Sequence, residues 1–456
     1  MKCSFTILFF VFCFSISIDK KNANSVEGDR QALMDLYEAT GGSGWSNDSG
    51  WGSGNPSGNW HGINVNSQGR VIRVDLSDNN LAGSLPESIG NLSKVKYFNV
   101  KQNNMSGQIP TSIGHMISLT HLLLNGRAED PGPRGSHHPG KAGGGSWSDE
   151  RTNSFGGSIP ESIGNLRDLQ YFECTGQGNK DIDDGTGYPD GLTGLPESIG
   201  NLTNLIGLHL DFNNISSLPS SMSNLTNLVH LSIGRNALNG HGLPSWVGNL
   251  TNLRYLWIKK NRLGGEVPDL SNLTDLRIIS SSFNDFKGPF PDYLIDGTMP
   301  DINLIEIAFN ELTGRLPTIG ENNLAMLGLG WNNLEGELPD LSNLTSMVNL
   351  GLDQNNFSGE IPDLSHMSRL RYLRANDNNF TGPVPMVDTN NEKLNFLYFQ
   401  NNQMSGKVPQ ELANIADLPR IDNNDLNLAD NEFSNSDLDP LIDALKSDGN
   451  LDVLNY

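Results

Sequence analysis

The stretch LTNLRYLWIKKNRLGGEVPDLSN (residues 250–272) is one complete copy of a unit that recurs along most of this 456-residue chain. Its part LRYLWI has the spacing L-x-x-L-x-L. This alternation is typical of a short β-strand, so Leu256 and Ile258 are expected to point inward and Trp257 outward. Asn261 is expected to turn the chain and to bond backbone groups of the neighbouring coils. Each unit therefore predicts one strand and one turn.

The unit recurs at intervals of 22–26 residues for most of the chain, measured between the prolines of a G-x-[IVL]-P element. Two intervals are longer, with 50 residues between Pro110 and Pro160 and 36 between Pro160 and Pro196. They indicate insertions at 127–152 and at about 177–190. We count about fourteen strand segments, which would stack so that neighbouring units share one continuous core.

We therefore predict an α/β repeat solenoid, a curved array with a concave parallel sheet and a helical cap at each end. The predicted segments are a signal peptide at 1–25, an N-terminal cap at 26–70, repeats at 71–433 and a C-terminal cap at 434–456. The signal peptide rests on Lys2, the apolar run at 5–18 and the small residues before position 26. Each cap is predicted from apolar residues whose spacing places them on one face of a helix. These residues are Ala32, Leu33, Leu36 and Tyr37 at the N-terminal end and Leu438, Leu441, Ile442 and Leu445 at the C-terminal end.

Three segments carry a specific likeness: SDNNLAGSLPESIGNL (77–92), KQNNMSGQIPTSIG (101–114) and DQNNFSGEIPDLS (353–365). On these motifs residues 71–433 resemble the plant-type extracellular leucine-rich repeat family, which includes receptor-like ectodomains and polygalacturonase-inhibitor-like proteins. The chain departs from that family in two ways. Val65 stands where plant relatives have a cap cysteine, and the chain has no kinase signature.

Composition argues against several classes of function. The net charge is −22, and loss of the predicted signal peptide would remove a net +2 and leave −24. Such an acidic chain is poorly suited to binding nucleic acid, which needs clustered cations. No G-x-S-x-G, HExxH or P-loop motif is present. We predict no enzyme activity, no cofactor and no metal site, and we expect Cys174 to be a buried apolar residue.

Outward positions of the concave sheet are the candidate ligand-binding site, because rigid exposed aromatic side chains bind with little loss of entropy. The predicted residues are His209, Arg235, Tyr255, Trp257, Lys259, Phe283, Phe309, Trp331, Tyr372, Phe396 and Tyr398. Phe283, Phe309 and Trp331 precede the turn asparagine in adjacent repeats and predict an exposed strip. The alternative is that this position is half buried against the next loop. Lys259, Lys260 and Arg235 form a small basic spot beside Trp257 that would suit a carboxylate, or they are simply solvated cations.

Two further features are left open by the sequence. The insertions leave repeats 3 and 4 at equivalent points, and they are either part of a site or tolerated loops. The acidic run at 181–185 is either a calcium loop or a solvated loop. Glycosylation is predicted in the outer NLT-type elements, at Asn201, Asn224, Asn249, Asn272 and Asn343.

We predict a secreted or cell-surface, monomeric, non-catalytic recognition protein whose concave face binds an extracellular protein, peptide or glycan. The family resemblance leaves open a membrane-bound co-receptor as a further partner. One alternative is an inhibitor of a secreted polysaccharide-degrading enzyme. Another is an adhesive, structural or ice-binding extracellular protein that uses the repeated threonines of its outer face.

Overall fold

A computed structural model describes residues 24–56, 58–126, 153–176, 191–388, 390–391, 394–417, 426–448 and 454–455. Residues 1–23 of the predicted signal peptide, both predicted insertions and the acidic run at 181–185 lie outside these ranges.

A parallel sheet runs the whole length of the array, with 16 strands among the described residues. The strands are Ile63–Val65, Val71–Asp75, Tyr97–Asn99, His121–Leu123, Tyr171–Glu173, Gly207–His209, His230–Ser232, Tyr255–Trp257, Ile278–Ser280, Leu304–Glu306, Met326–Gly328, Asn349–Gly351, Tyr372–Arg374, Phe396–Tyr398, Leu426–Asn427 and Leu454–Asn455. Only the first pair is antiparallel. The strands from Val71–Asp75 to Leu426–Asn427 are numbered below as repeats 1 to 14. This confirms the predicted α/β solenoid.

The inward residues of these strands form one continuous core. In repeat 7, Leu256 and Ile258 are buried, while the alternating residues Tyr255 and Trp257 are partly exposed. The L-x-x-L-x-L spacing therefore gives the predicted alternation, since successive strand residues face opposite sides of the sheet.

Each turn asparagine ties adjacent coils together. The amide nitrogen of Asn261 donates to the carbonyl oxygens of Ile258 (2.9 Å) and Ile233 (3.0 Å). Its side-chain oxygen accepts a hydrogen bond from the backbone N–H of Asn236 at 3.0 Å. The predicted role of Asn261 is thus confirmed. Equivalent amides at Asn103, Asn153, Asn213, Asn236, Asn284, Asn310, Asn332, Asn355, Asn378, Asn402 and Asn431 also donate to backbone carbonyls.

The return path of many repeats forms a second, shorter set of strands, which the sequence did not predict. Seven of them form one sheet: Gly264–Glu266, Asp285–Pro289, Glu311–Gly314, Asn333–Gly336, Asn356–Glu360, Asn379–Gly382 and Gln403–Met404. Ala82–Gly83, Asn104–Gly107 and Ser154–Phe155 form another, and Gly157–Ser158 pairs with Leu192–Gly194. Short 3₁₀ turns follow several prolines, at Glu87–Asn91, Thr111–His115, Glu161–Asn165, Glu197–Asn201, Ser220–Asn224, Ser245–Asn249, Asp292–Leu294 and Gln410–Asp417, and one more lies at Gly42–Gly44.

An α-helix lies at each end of the array. Helix α1 (Val26–Ala39) begins at Ser25, whose hydroxyl accepts a hydrogen bond from the backbone N–H of Gly28 at 3.0 Å. A chain boundary after Ser25, as the sequence predicts, would remove this cap. Helix α2 (Asn435–Asp448) buries Leu441 and Leu445. Both helices turn their predicted apolar face toward the core.

Candidate functional site

Three positions of each repeat face outward on the concave side or its edge. Tyr255 precedes the first inward strand residue, Trp257 lies between the two inward residues, and Lys260 precedes the turn asparagine. Because the strands are parallel and in register, side chains at the same position form columns across the repeats. The candidate residues therefore meet along columns, with one residue for each strand.

The first cluster, which we call the basic–aromatic patch, consists of His230, Tyr255, Trp257, Lys259 and Arg235. The rings of His230 and Tyr255 stack with centroids 4.5 Å apart and planes 14° apart. Tyr255 and Trp257 are 5.5 Å apart at 7°. The backbone N–H of Arg235 donates to the carbonyl of Lys259 at 2.7 Å, so the two cations lie on adjacent repeats. The patch combines half-exposed aromatic rings with two positive charges.

The structure corrects the expectation for His209, which is buried with an exposed fraction of 6%. Its ring is stacked on His230 at 5.9 Å. Gly207 makes room for this ring, because a Cβ atom at position 207 would lie 2.9 Å from the Tyr171 ring and 3.2 Å from His209 Nε2. His209 therefore lies against Gly207 and stacks beside His230 of the patch.

Protonation of His230 is expected to destabilise the fold. Burial, followed by the nearby His209 and Arg254, lowers the pKa of His230 from 6.5 to about 4. The unfolded chain therefore binds more protons than the folded chain between pH 6.5 and 4, so stability falls as pH drops through this window. In an NMR titration of the folded protein, the His230 ring shifts should still report the neutral form at pH 5. The stability of a His230→Gln variant should lose this part of its pH dependence. An NMR titration midpoint near pH 6.5 for the His230 ring would contradict the account.

The second cluster, which we call the aromatic rail, consists of Phe283, Phe309 and Trp331 in repeats 8 to 10. The Phe283 and Phe309 rings stack at 4.1 Å and 9°, and Phe309 and Trp331 at 5.1 Å and 12°. The exposed fractions are 43%, 38% and 49%, so the predicted exposed strip is present. Phe212, which holds the same position in repeat 5, is instead buried.

The backbone of the rail is left-handed, with φ of +59° at Phe283, +55° at Phe309 and +57° at Trp331. Bulky side chains rarely take this conformation, which costs about 1–2 kcal/mol per residue. Stacking between neighbours offsets part of this cost, at about 0.5–1.5 kcal/mol per pair. Lys260 extends the rail, since its Nζ lies 4.6 Å from the centroid of Phe283.

The third cluster consists of Tyr372, Phe396 and Tyr398 in repeats 12 and 13. Tyr372 and Phe396 stack at 5.2 Å, and Phe396 and Tyr398 lie 5.9 Å apart. These rings share columns with Tyr255 and Trp257, but the two clusters are five strand spacings apart, or about 24 Å along the sheet. The structure therefore does not bring all of the predicted residues into one site.

The flanks of both predicted insertions lie at the same edge as the aromatic rail. Gly126 donates its backbone N–H to Thr175 at 2.8 Å, and Gly176 donates to Asp211 at 3.0 Å. Gly126 and Gly176 hold the position that Phe283 holds in repeat 8. After the first insertion Asn153 takes up the turn role, donating to Val100 at 2.8 Å. The expectation of a common edge is confirmed for these flanks.

The remaining predicted features are placed on other parts of the fold. The five predicted glycosylation asparagines are all exposed, and their modification stays a prediction. Cys174 is fully buried, and burial raises the pKa of its thiol. Within the described ranges, no group of three or more His, Cys, Asp or Glu side chains could hold a metal ion. None of the described helices is both long enough and apolar enough to cross a membrane.

Family models match two parts of the chain. Residues 161–295 match a leucine-rich repeat region, and residues 70–92 match a single leucine-rich repeat. No curated protein matches the chain.

Solved structures with the same fold include plant receptors. The plant peptide hormone receptor RGFR1, in complex with RGF2, is 26% identical with a TM-score of 0.66, covering 82% of this chain and 57% of the receptor. PEPR1–AtPEP1 is 25% identical with a TM-score of 0.64, covering 89% of this chain and 56% of that one. The ectodomain of the Arabidopsis thaliana membrane receptor kinase GASSHO1/SCHENGEN3, in complex with CASPARIAN STRIP INTEGRITY FACTOR 2, is 26% identical with a TM-score of 0.60, covering 89% and 50%.

The chain spans less than two thirds of the length of each of these three structures. The turn asparagines that bond backbone groups of adjacent coils, such as Asn236 and Asn261, form a series that we call the asparagine ladder. This ladder and the parallel solenoid are consistent with the matched leucine-rich repeat models. About a third of the chain matches leucine-rich repeat models, and the whole array is similar in fold to the plant peptide hormone receptor RGFR1.

Proposed function

We propose that this chain is a non-catalytic recognition protein that binds an extended protein or peptide segment on its concave sheet, outside the cell. The observation that carries the proposal is the basic–aromatic patch. It combines the stacked rings of Tyr255 and Trp257 with Lys259 in the same repeat, and the guanidinium of Arg235 in the neighbouring repeat lies over the Phe212 ring at 4.8 Å. Rigid aromatic side chains next to cations are typical of the residues that dominate binding energy in protein interfaces.

Ring stacking favours a peptide over a glycan. Sugars bind aromatic residues through the faces of the rings. Both faces of Phe309 are covered, by Phe283 at 4.1 Å and by Trp331 at 5.1 Å. One face of Tyr255 is likewise covered by His230 at 4.5 Å. The reduced area of free ring faces disfavours a sugar, whereas the exposed ring edges and the cations suit apolar side chains and carboxylates.

The structural neighbours support the same proposal. RGFR1 is described as a plant peptide hormone receptor, and the GASSHO1/SCHENGEN3 structure is an ectodomain of a membrane receptor kinase. Both likenesses cover more than four fifths of this chain at 26% identity. They favour a peptide ligand and an extracellular location for this chain.

We expect Trp257→Ala to weaken peptide binding at least tenfold, a loss of about 1.4 kcal/mol. Peptides selected from a displayed random dodecapeptide library on the intact protein would serve as probes, with dissociation constants measured by calorimetry. Ile117→Ala is the matched control, because Ile117 is 57% exposed and lies outside the strands. Selected peptides that bind both variants like the parent protein would count against the concave site.

A further inference from the structure

We propose that the edge of repeats 8 to 10 is a docking site for a cationic segment of a partner protein in which basic and apolar side chains alternate. We call this surface the acidic–aromatic edge, and it consists of the aromatic rail with Asp285 and Glu311. The inference rests on the proposed recognition function, and it names the chemistry that one part of the surface would take.

Carboxylates accompany the rail in two repeats. Asp285 follows Phe283 by two residues, and Glu311 follows Phe309 by two residues. Both carboxylate residues are exposed. They begin adjacent strands of the second sheet, Asp285–Pro289 and Glu311–Gly314, which pair in parallel. A shallow cleft of about 480 Å³ is lined by both carboxylate residues together with Phe309 and Trp331.

The charge of the chain changes sign where the rail begins. Residues 229–277 carry six Lys or Arg and three Asp or Glu, a net charge of +3. Residues 278–360 carry two Lys or Arg and twelve Asp or Glu, a net charge of −10. Complementary fields of this kind steer and orient a charged partner. A bound cationic segment would therefore lie over repeats 8 to 10 and be repelled from repeats 6 and 7.

Lys260 shows how a basic side chain fits this surface. Its Nζ lies 4.6 Å from the centroid of Phe283, at the first end of the rail. A partner lysine or arginine could place its aliphatic stem along the ring edges and its charge beside Glu311. Glu311 already pairs with Lys287 at 3.2 Å. Because both side chains are exposed, replacing Lys287 by a cation of the partner costs little free energy.

The backbone conformation adds to the argument. The same position is left-handed in most repeats, and it is held by Gly176 and Asn401 but also by Gln102, Phe212, Arg235, Lys260, Gln354 and Asp377. The rail differs in that three adjacent repeats place aromatic residues there, and their stacking offsets part of the cost of this conformation. A partner bound at this edge would cover Trp331, which is 49% exposed.

The test is fluorescence anisotropy with a labelled synthetic decapeptide of alternating Lys and Leu, added to the full chain at physiological salt. We expect it to bind at least tenfold more tightly than a Lys–Ser or a Glu–Leu decapeptide. Phe309→Asn and Glu311→Lys should each weaken binding at least fivefold. Asn adopts the left-handed backbone readily, so Phe309→Asn is expected to fold.

The matched control is Glu321→Lys, which makes the same charge change at an exposed residue outside the cleft. It should change binding less than twofold. Equal losses for Glu311→Lys and Glu321→Lys, equal binding of the Lys–Ser peptide, or no effect of Phe309→Asn would overturn the inference. If the edge variants have no effect while library-selected peptides still depend on Trp257, the inference fails and the proposed function stands.

Discussion

Replacing Asp29 by alanine is expected to destabilise the N-terminal end of the array by about 3–5 kcal/mol, because it breaks a buried ion pair. Asp29 is fully buried in helix α1. Its two oxygens accept hydrogen bonds from Arg70 Nε at 2.8 Å and Nη2 at 2.9 Å. Oδ2 also accepts from the backbone N–H of Val71 at 2.9 Å. The variant would leave a buried guanidinium without this carboxylate and a strand N–H without its acceptor.

Urea unfolding followed by tryptophan fluorescence would measure the loss, since Trp45, Trp51 and Trp60 all lie beside helix α1 in the N-terminal segment. Glu27→Ala is the matched control, because Glu27 is an exposed acid in the first turn of the same helix. We expect it to cost at most about 1 kcal/mol. Asp29→Leu combined with Arg70→Met should recover much of the stability. A loss below about 1 kcal/mol for Asp29→Ala would show that the pair does not hold the helix to the array.

Removal of one rung of the asparagine ladder should have an effect of similar size. In Asn236→Ala, the carbonyls of Leu210 (2.9 Å) and Ile233 (3.0 Å) lose a donor. The backbone N–H of Ile215 loses its acceptor at 3.0 Å. All of these groups are buried, and unsatisfied buried polar groups cost about 1–3 kcal/mol each. We expect a total loss of about 3 kcal/mol or more.

Asn227→Ala is the matched control for the ladder. Its amide makes one exposed hydrogen bond, to the carbonyl of Thr203 at 2.8 Å. That variant should stay within about 0.5 kcal/mol of the parent protein. Because a repeat array is stabilised by its nearest-neighbour interfaces, Asn236→Ala should also broaden the unfolding transition or split it in two. Equal effects of the two substitutions would contradict the role assigned to the ladder.

The fold could be predicted from the sequence because the residue spacing within each repeat indicates where its strand and its turn lie. The inward positions of Leu256 and Ile258 and the turn role of Asn261 come from local spacing, and the structure confirms them. The second sheet was missed because its strands, such as Gly264–Glu266, contain glycine and have little apolar alternation. Their pairing depends on the neighbouring coil.

The candidate site was only partly predictable. The exposed strip of Phe283, Phe309 and Trp331 could be identified because these residues occupy one repeat position. The burial of His209 could not, since it depends on Gly207 in its own strand and on the Tyr171 ring one repeat away. The carboxylates of the acidic–aromatic edge follow the rail at a fixed offset of two residues, a signal that the sequence does contain.

The central claim is that the concave sheet is a recognition surface, and site-directed photo-cross-linking tests it most directly. A benzophenone amino acid would replace Tyr255 in one sample and Ile117, which is 57% exposed, in the other. Both samples would be irradiated in the native extracellular medium and the adducts identified by mass spectrometry. The account predicts one recurring protein or peptide adduct from position 255 that excess unmodified protein abolishes, and no such adduct from position 117. Equal adducts from both positions, or none from position 255, would contradict it.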